Sequence, residues 1–191
     1  MNKHLTVKEK EKFSAGGGPA SGWEKMKVAF HYKNAMAAPK LEKVVLNVGT
    51  GTLIKKDKNK NDAISDRLAK ITGQKAALRG AKKSIASFKV RQGDPIGVMV
   101  TLRGARMYAF VEKLINIALP RTKDFRGISR QAVDNVGNLT LGIKEHTIFP
   151  ETADEDIKDV FGLSITLVSS AKTQKEGFAF FELLGMPFKK E

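Results

Sequence analysis

The sequence predicts an α+β domain with a mixed, mainly antiparallel sheet, helices packed on one sheet face, an open polar opposite face and a protruding basic loop. Three observations carry that reading. Segments near 41–48, 96–103, 139–143 and 163–168 alternate apolar and polar residues with period two, the mark of half-buried strands. Segments with apolar residues at helical spacing lie between and after them, without regular βαβ units. A basic, glycine-punctuated stretch, 79–94, runs directly into one of the strands.

Residues 1–20 read as a flexible basic arm, with charges alternating through Lys8 to Lys12 and Gly16-Gly17-Gly18-Pro19 breaking any helix. The single α+β domain then spans 21–191. Ser21 and Glu24 have capping-box spacing, and Trp23, Met26 and Phe30 follow on one helical face. Leu41 to Val48 is the first strand, with Val44, Leu46 and Val48 on one side and Lys43, Val45 and Asn47 on the other. Lys55 to Asn61 is a lysine-rich loop, ordinarily a solvated one. Asp62 is placed to cap a helix through Ile64, Leu68 and Ile71 that Gly73 closes. Gln74 to Arg79 is a short strand. After Gly104, Met107, Phe110, Val111, Leu114, Ile115 and Ala118 give an unbroken apolar stripe, which Pro120 ends. Arg121 to Arg130 forms a second basic loop. Leu139, Leu141 and Ile143 mark another strand. Asp154, Glu155 and Asp156 open a helix near Ile157 and Val160. Leu163, Ile165 and Leu167 mark the last strand. Thr173 and Glu176 start a final helix that buries Phe178, Phe181 and Leu184 and ends at Gly185.

Composition narrows the function. The net charge of +14 predicts attraction to polyanions. With no cysteine there is no disulfide, thiolate nucleophile or cysteine zinc site. No apolar run approaches the roughly 18 residues that span a bilayer, and the charged N-terminus is unlike a signal peptide. A cytoplasmic protein without a membrane partner is expected, so the Asn138-Leu139-Thr140 sequon carries no weight. Gly49-Thr50-Gly51 after a strand lacks the third glycine and the following helix of a dinucleotide site. No phosphate loop or nucleophile elbow is present, and His4, His31 and His146 are isolated from one another, none with a carboxylate or second histidine at ligand spacing. No enzyme, cofactor or metal is expected.

A patterned basic surface remains. With the apolar strand positions facing the helices, the open face carries Lys43, Asn47, Thr101, Arg103, Thr140, Lys144, Ser164 and Thr166, with almost no acids. A face that is merely solvated usually mixes in Glu and Asp. Short amides and hydroxyls suit phosphates and ribose 2′-hydroxyls, and the cations supply a salt-dependent attraction, so RNA is the expected ligand. In the loop, Ile85, Phe88 and Val90 alternate among Lys82, Lys83, Lys89 and Arg91. They either meet a second partner or fold back and bury themselves. Gly80, Gly93 and Pro95 at its ends have the character of hinges.

The segments LEKVVLNVG (41–49), TGQK (72–75), AKKSIASFKVRQGDPIGVMVTLRG (81–104), LPRTKDFRG (119–127), GNLTLGIKEHTIFPE (137–151), GLSITLVSSAK (162–172) and MPF (186–188) together resemble the bacterial L5 family of large-subunit ribosomal proteins. The segment before Met36 departs from that pattern. The resemblance implies a structural protein rather than an RNA-modifying enzyme or a transient translation factor. It implies 5S rRNA and 23S rRNA as partners in the central protuberance, beside neighbouring large-subunit proteins. Its 5S contacts would fall on Asn47, Gln74 and Thr101, joined by the face cations Lys43, Arg79 and Arg103. The loop, with Lys82, Lys83, Ser84, Phe88, Lys89, Arg91 and Gln92, would reach P-site tRNA and a small-subunit head protein across an intersubunit bridge.

Overall fold

The computed structural model describes residues 26–51, 60–123, 125–152 and 160–189. The expected arm, the Ser21–Glu24 capping box, most of the lysine run and the acidic helix start at Asp154 lie outside them. Strands β1 (Leu41–Gly49), β2 (Ala77–Gly80), β3 (Pro95–Leu102), β4 (Leu139–Ile143) and β5 (Leu163–Ser169) form one sheet in the order β2-β3-β1-β5-β4. Every pairing between neighbours is antiparallel. β1 is the central strand: Leu46 faces Val100 on one side and Ile165 on the other.

The period-two pattern sorts the two faces as the sequence requires. Val44, Leu46, Val48, Val98, Val100, Leu102, Leu139, Ile165 and Leu167 are at most 1% exposed. They join the buried residues of helices α1 (Lys60–Thr72), α2 (Gly104–Lys113) and α3 (Gln174–Leu184) in one core. Each such aliphatic burial stabilises the fold by about 1.5–3 kcal/mol before entropy is counted.

Several elements differ from expectation for local reasons. α1 begins at Lys60, so Asp62 is an exposed acid in its first turn instead of its cap. Gly73 does close α1, at φ +68°. β2 starts at Ala77 rather than Gln74, which stays in the turn after the helix, where the Thr72 hydroxyl donates to the Leu68 carbonyl at 2.7 Å and accepts from the Gln74 N–H at 3.4 Å. The long apolar stripe is helical throughout but widens into a π-turn over Leu114–Ala118, where the Leu119 N–H reaches the Leu114 carbonyl at 2.9 Å. In α3 the buried residues are Glu176, Gly177, Phe180 and Phe181, while Phe178 and Leu184 are only partly covered. The Thr173 hydroxyl caps α3 by accepting from the Glu176 N–H. The Glu176 carboxylate reaches past the cap and accepts from the Lys172 N–H at 2.8 Å and from the Tyr32 hydroxyl. Burial, then that hydrogen bond and the carboxylate's charge, raise the Tyr32 pKa above the usual tyrosine range. This bond ties the chain before β1 to α3.

Two glycines set how closely α3 approaches the turn before β4. A methyl group on Gly177 would lie 2.5 Å from the Gly137 Cα. Gly177→Ala therefore lowers stability by about 2 kcal/mol or more through forced displacement, against a helix-propensity gain of about 1 kcal/mol. Gly142→Ala, where an added Cβ meets nothing within 4 Å, stays within about 0.5 kcal/mol of wild type. Urea-unfolding midpoints of the two variants check the contrast.

Candidate nucleic-acid interface

Two surfaces carry the charged and polar groups that the sequence singles out, and β3 joins them. The first is the sheet face turned away from the core. The strand registers place its residues in rows. Ala77, Met99, Asn47, Ser164 and Gly142 lie side by side, and Thr101, Val45, Thr166 and Thr140 form the next row. Arg79, Gly97 and Gly49 flank the first row, and Lys43 pairs with Val168 beyond the second. Across the five strands the only acid is Glu42, at the β-bulge between Leu41 and Lys43. Among the described residues, Lys43, Arg79 and Arg103 make no ion pair, which leaves their charge for an external anion.

Lys43, Asn47 and Thr101 are thus brought into one patch. No described residue hydrogen-bonds the Asn47 carboxamide or the Thr101 hydroxyl. Thr140 and Thr166 bond each other through their hydroxyls at 3.1 Å. The Ser164 hydroxyl donates to the Asn47 carbonyl at 3.3 Å. Gln74 sits at the margin and donates its Nε2 to the Thr101 carbonyl at 3.2 Å, which pins the approach to β2 against β3. Arg79 projects from the edge strand, and Arg103 lies at the sheet's end as the extended residue preceding α2. The face is less uniformly polar than the sequence sorting made it. Val45, Met99 and Val168 also lie on it, each partly exposed. Alternation along β1 already puts Val45 on this side with Lys43 and Asn47, and the strand registers place Met99 and Val168 beside it.

The second surface is the loop between β2 and β3, which is an ordered finger. Ala81 is buried at its root, donates to the Asp94 carbonyl at 2.8 Å and accepts from the Gly93 N–H at 3.0 Å. Ile85 and Val90 form an antiparallel bridge. The Gln92 N–H donates to the Ser84 hydroxyl at 2.9 Å, and the Arg91 N–H to the Asp94 carboxylate at 2.7 Å. A short 3₁₀ turn, Ala86–Phe88, followed by Lys89 at φ 51°, makes the tip. Lys82, Lys83, Ser84, Phe88, Lys89, Arg91 and Gln92 are all exposed. Ile85 and Phe88 do not fold back: they are 46% and 61% exposed. Gly80 and Gly93 are a clamp and not the expected hinges, since a methyl on Gly80 would lie 3.0 Å from the Gly93 carbonyl oxygen.

Chemistry is not gathered elsewhere among the described residues. No group of three metal-ligating side chains occurs, and no helix is long and apolar enough to cross a membrane. His146 is fully buried, stacked on Phe161 with ring centroids 4.1 Å apart, and its Nδ1 accepts from the Phe161 N–H. His31 is exposed at φ 52°. In the second basic loop, Arg130 lies over the Phe178 ring at 4.9 Å, and Ile128 bridges to Phe188, which ties that loop to the C-terminal residues.

A basic α+β scaffold with an acid-poor sheet face and a cationic finger suits attraction to a polyanion, and the comparisons with known proteins identify the family. Residues 34–91 match the family model described as Ribosomal protein L5, and 95–188 match the ribosomal L5P family C-terminus. The large ribosomal subunit protein uL5 of Trichlorobacter lovleyi is 52% identical over 166 residues, covering 87% of this chain and 92% of its own. That of Halothermothrix orenii is 50% identical over 159 residues, 83% and 88% of the two chains. That of Roseiflexus castenholzii is 47% identical over 180 residues, 94% and 97% of the two. The chain belongs to the ribosomal protein L5 family. It is a structural constituent of the large subunit of the cytoplasmic ribosome and not an enzyme.

The clamp at the finger's root makes a local prediction. Gly93 sits at φ +91°, so Gly93→Ala costs about 1–2 kcal/mol in backbone strain at that site. Amide hydrogen exchange at Ala81 and Val90 is expected to quicken about tenfold, because tenfold corresponds to about 1.4 kcal/mol. The amides of β1 and β5 are expected to be unaffected.

Proposed function

We propose that the open sheet face holds 5S rRNA, with 23S rRNA as a further partner, and that the finger contacts P-site tRNA and a small-subunit head protein. The observation that carries the first part is the juxtaposition of Asn47, Thr101 and Lys43 on a face whose strands contain one acid, with the amide and hydroxyl left uncommitted inside the protein. Uncommitted short polar groups on a rigid sheet suit phosphate and 2′-hydroxyl recognition. Lys43, Arg79 and Arg103 supply the counterion-release attraction. Gln74 acts through Thr101 by fixing the strand that presents it.

The second part draws on the finger's form. Exposed Lys82, Lys83, Lys89 and Arg91 fit an RNA backbone, while exposed Ile85 and Phe88 fit a protein neighbour. Ser84 and Gln92 hold the finger's two sides together. The two surfaces lie at different ends of β3, so they are able to serve different partners at once.

Filter binding to 5S rRNA across a salt series tests this reading. Binding is expected to be specific over random RNA of equal length, with log affinity falling linearly in log salt. Asn47→Ala with Thr101→Ala weakens 5S binding by roughly tenfold or more, the loss of about 1–3 kcal/mol of buried hydrogen bonding. Replacing Lys82, Lys83, Lys89 and Arg91 by Ala changes it by less than about threefold at moderate salt, where distant charges are screened, and instead impairs subunit association. Equal affinity of the wild type for random RNA would overturn the 5S assignment. A finger variant that loses 5S binding as severely as the sheet variant would overturn the division of labour.

A further inference from the structure

Beside the finger's root the fold buries two polar side chains that neither the open face nor the finger uses. Thr50 follows β1 and continues its inward alternation after Val44, Leu46 and Val48, which puts its side chain on the helix side of the sheet. Asn61 sits in the first turn of α1. Thr50 is 0% exposed and Asn61 4%. Both clasp the start of β3: the Thr50 N–H donates to the Ile96 carbonyl at 2.8 Å, and the Asn61 Nδ2 donates to the Pro95 carbonyl at 3.1 Å. Asp94, one residue earlier, is where the Ala81 N–H closes the root. The end of β1, the first turn of α1 and the start of β3 thus converge on Pro95 and Ile96.

Two oxygens at this meeting point are left over. The Thr50 Oγ1 and the Asn61 Oδ1 are buried, and neither has a hydrogen-bond partner among the described residues. Buried polar side-chain atoms nearly always have a partner, either protein or ordered water. The Pro95 carbonyl fixes how the carboxamide is turned, because a flip would set two oxygens against each other. Whatever meets the Asn61 Oδ1 must therefore donate to it. An anion would be repelled by that oxygen. A hard divalent cation takes about six or more oxygens, and two neutral ones fall short. Water donates twice and accepts as well, which suits an amide oxygen and a hydroxyl together.

We propose that Thr50 and Asn61 hold one buried water. The water accepts from the Thr50 hydroxyl and donates to the Asn61 Oδ1, and its other proton has the second lone pair of the Pro95 carbonyl to meet. About three hydrogen bonds is the usual complement of a buried water. Held there, the water joins β1 and α1 over the residues that begin β3, and so braces the finger's root. The site is independent of what the open face or the finger binds.

The test uses the full chain. In a crystal structure that shows ordered water, one water is expected within about 3.2 Å of both the Thr50 Oγ1 and the Asn61 Oδ1. A direct Thr50–Asn61 hydrogen bond, or the two oxygens without a shared water, overturns the site, and that result depends on no variant. In solution, a double-mutant cycle of Thr50→Val and Asn61→Ala reads the link through urea unfolding. Each single change raises the unfolding constant about fivefold or more, since it leaves the other oxygen less well satisfied. The double variant falls short of the product of the two effects by at least about threefold, because one water serves both side chains. Effects that simply multiply overturn the shared water. The brace has its own readout: Thr50→Val is expected to quicken amide exchange at Ala81 at least about threefold more than at the amides that pair β4 with β5. Equal acceleration at both places overturns the role at the root while leaving the water in place.

Discussion

The rest of the structure depends on the pairing of β1 with both β3 and β5. Because β1 is central, its side chains have no freedom to choose faces: Val44, Leu46 and Val48 are buried against the helices, so Lys43, Val45 and Asn47 must face outward. The side-chain period of a strand is two, and a one-residue slip would carry an entire apolar set into water. The core therefore enforces the register that creates the outer face. Asn47, Met99 and Ser164 lie in line because Leu46, Val100 and Ile165 do. A candidate RNA surface built in this way needs no dedicated scaffold, since every hydrogen bond that stabilises the sheet also fixes the spacing of its outward groups.

Much of this was legible in the sequence, because the strong signals are local. Alternation in 41–48, 96–103, 139–143 and 163–168 gave strands close to those observed, and Gly73 and Gly185 marked helix ends that need φ above zero. What alternation cannot give is which strands are neighbours, and so which outward residues touch. That Met99, Val45 and Val168 lie beside one another follows only once β1 is known to lie between β3 and β5. The same limit explains α3. Helical spacing allowed Phe178, Phe181 and Leu184 as its buried face; Phe181 is buried, but with Gly177 against Gly137 it is Phe180 that joins it, while Phe178 and Leu184 stay partly covered.

The finger shows how glycine is ambiguous without three-dimensional context. Gly80 and Gly93 flank a basic loop, and flexible residues at both ends of a loop suggest hinges. In the fold each serves close packing. Gly93 supplies a left-handed turn, and Gly80 lets its backbone meet Gly93, where the buried Ala81 closes two hydrogen bonds. Absence of a side chain allows motion when nothing is near, and permits intimate contact when something is. Only the neighbours decide which.

β3 links these two lessons. Its far end carries Met99 and Thr101 on the sheet face, and its near end, Pro95 to Gly97, receives the finger. Eight residues at about 3.3 Å each make a strut about 26 Å long. It is hydrogen-bonded to β1 along most of its length and to β2 beside the finger's root. At the root, the two Ala81 hydrogen bonds and the Gly80–Gly93 approach set the finger's direction relative to the sheet. Lys82, Lys83 and Phe88 are thus presented in a direction that the β2–β3 pairing and the root set together. Under the proposed division of labour, a root closed in this way would let the finger meet its partner while the sheet is held, without binding energy spent on ordering the loop.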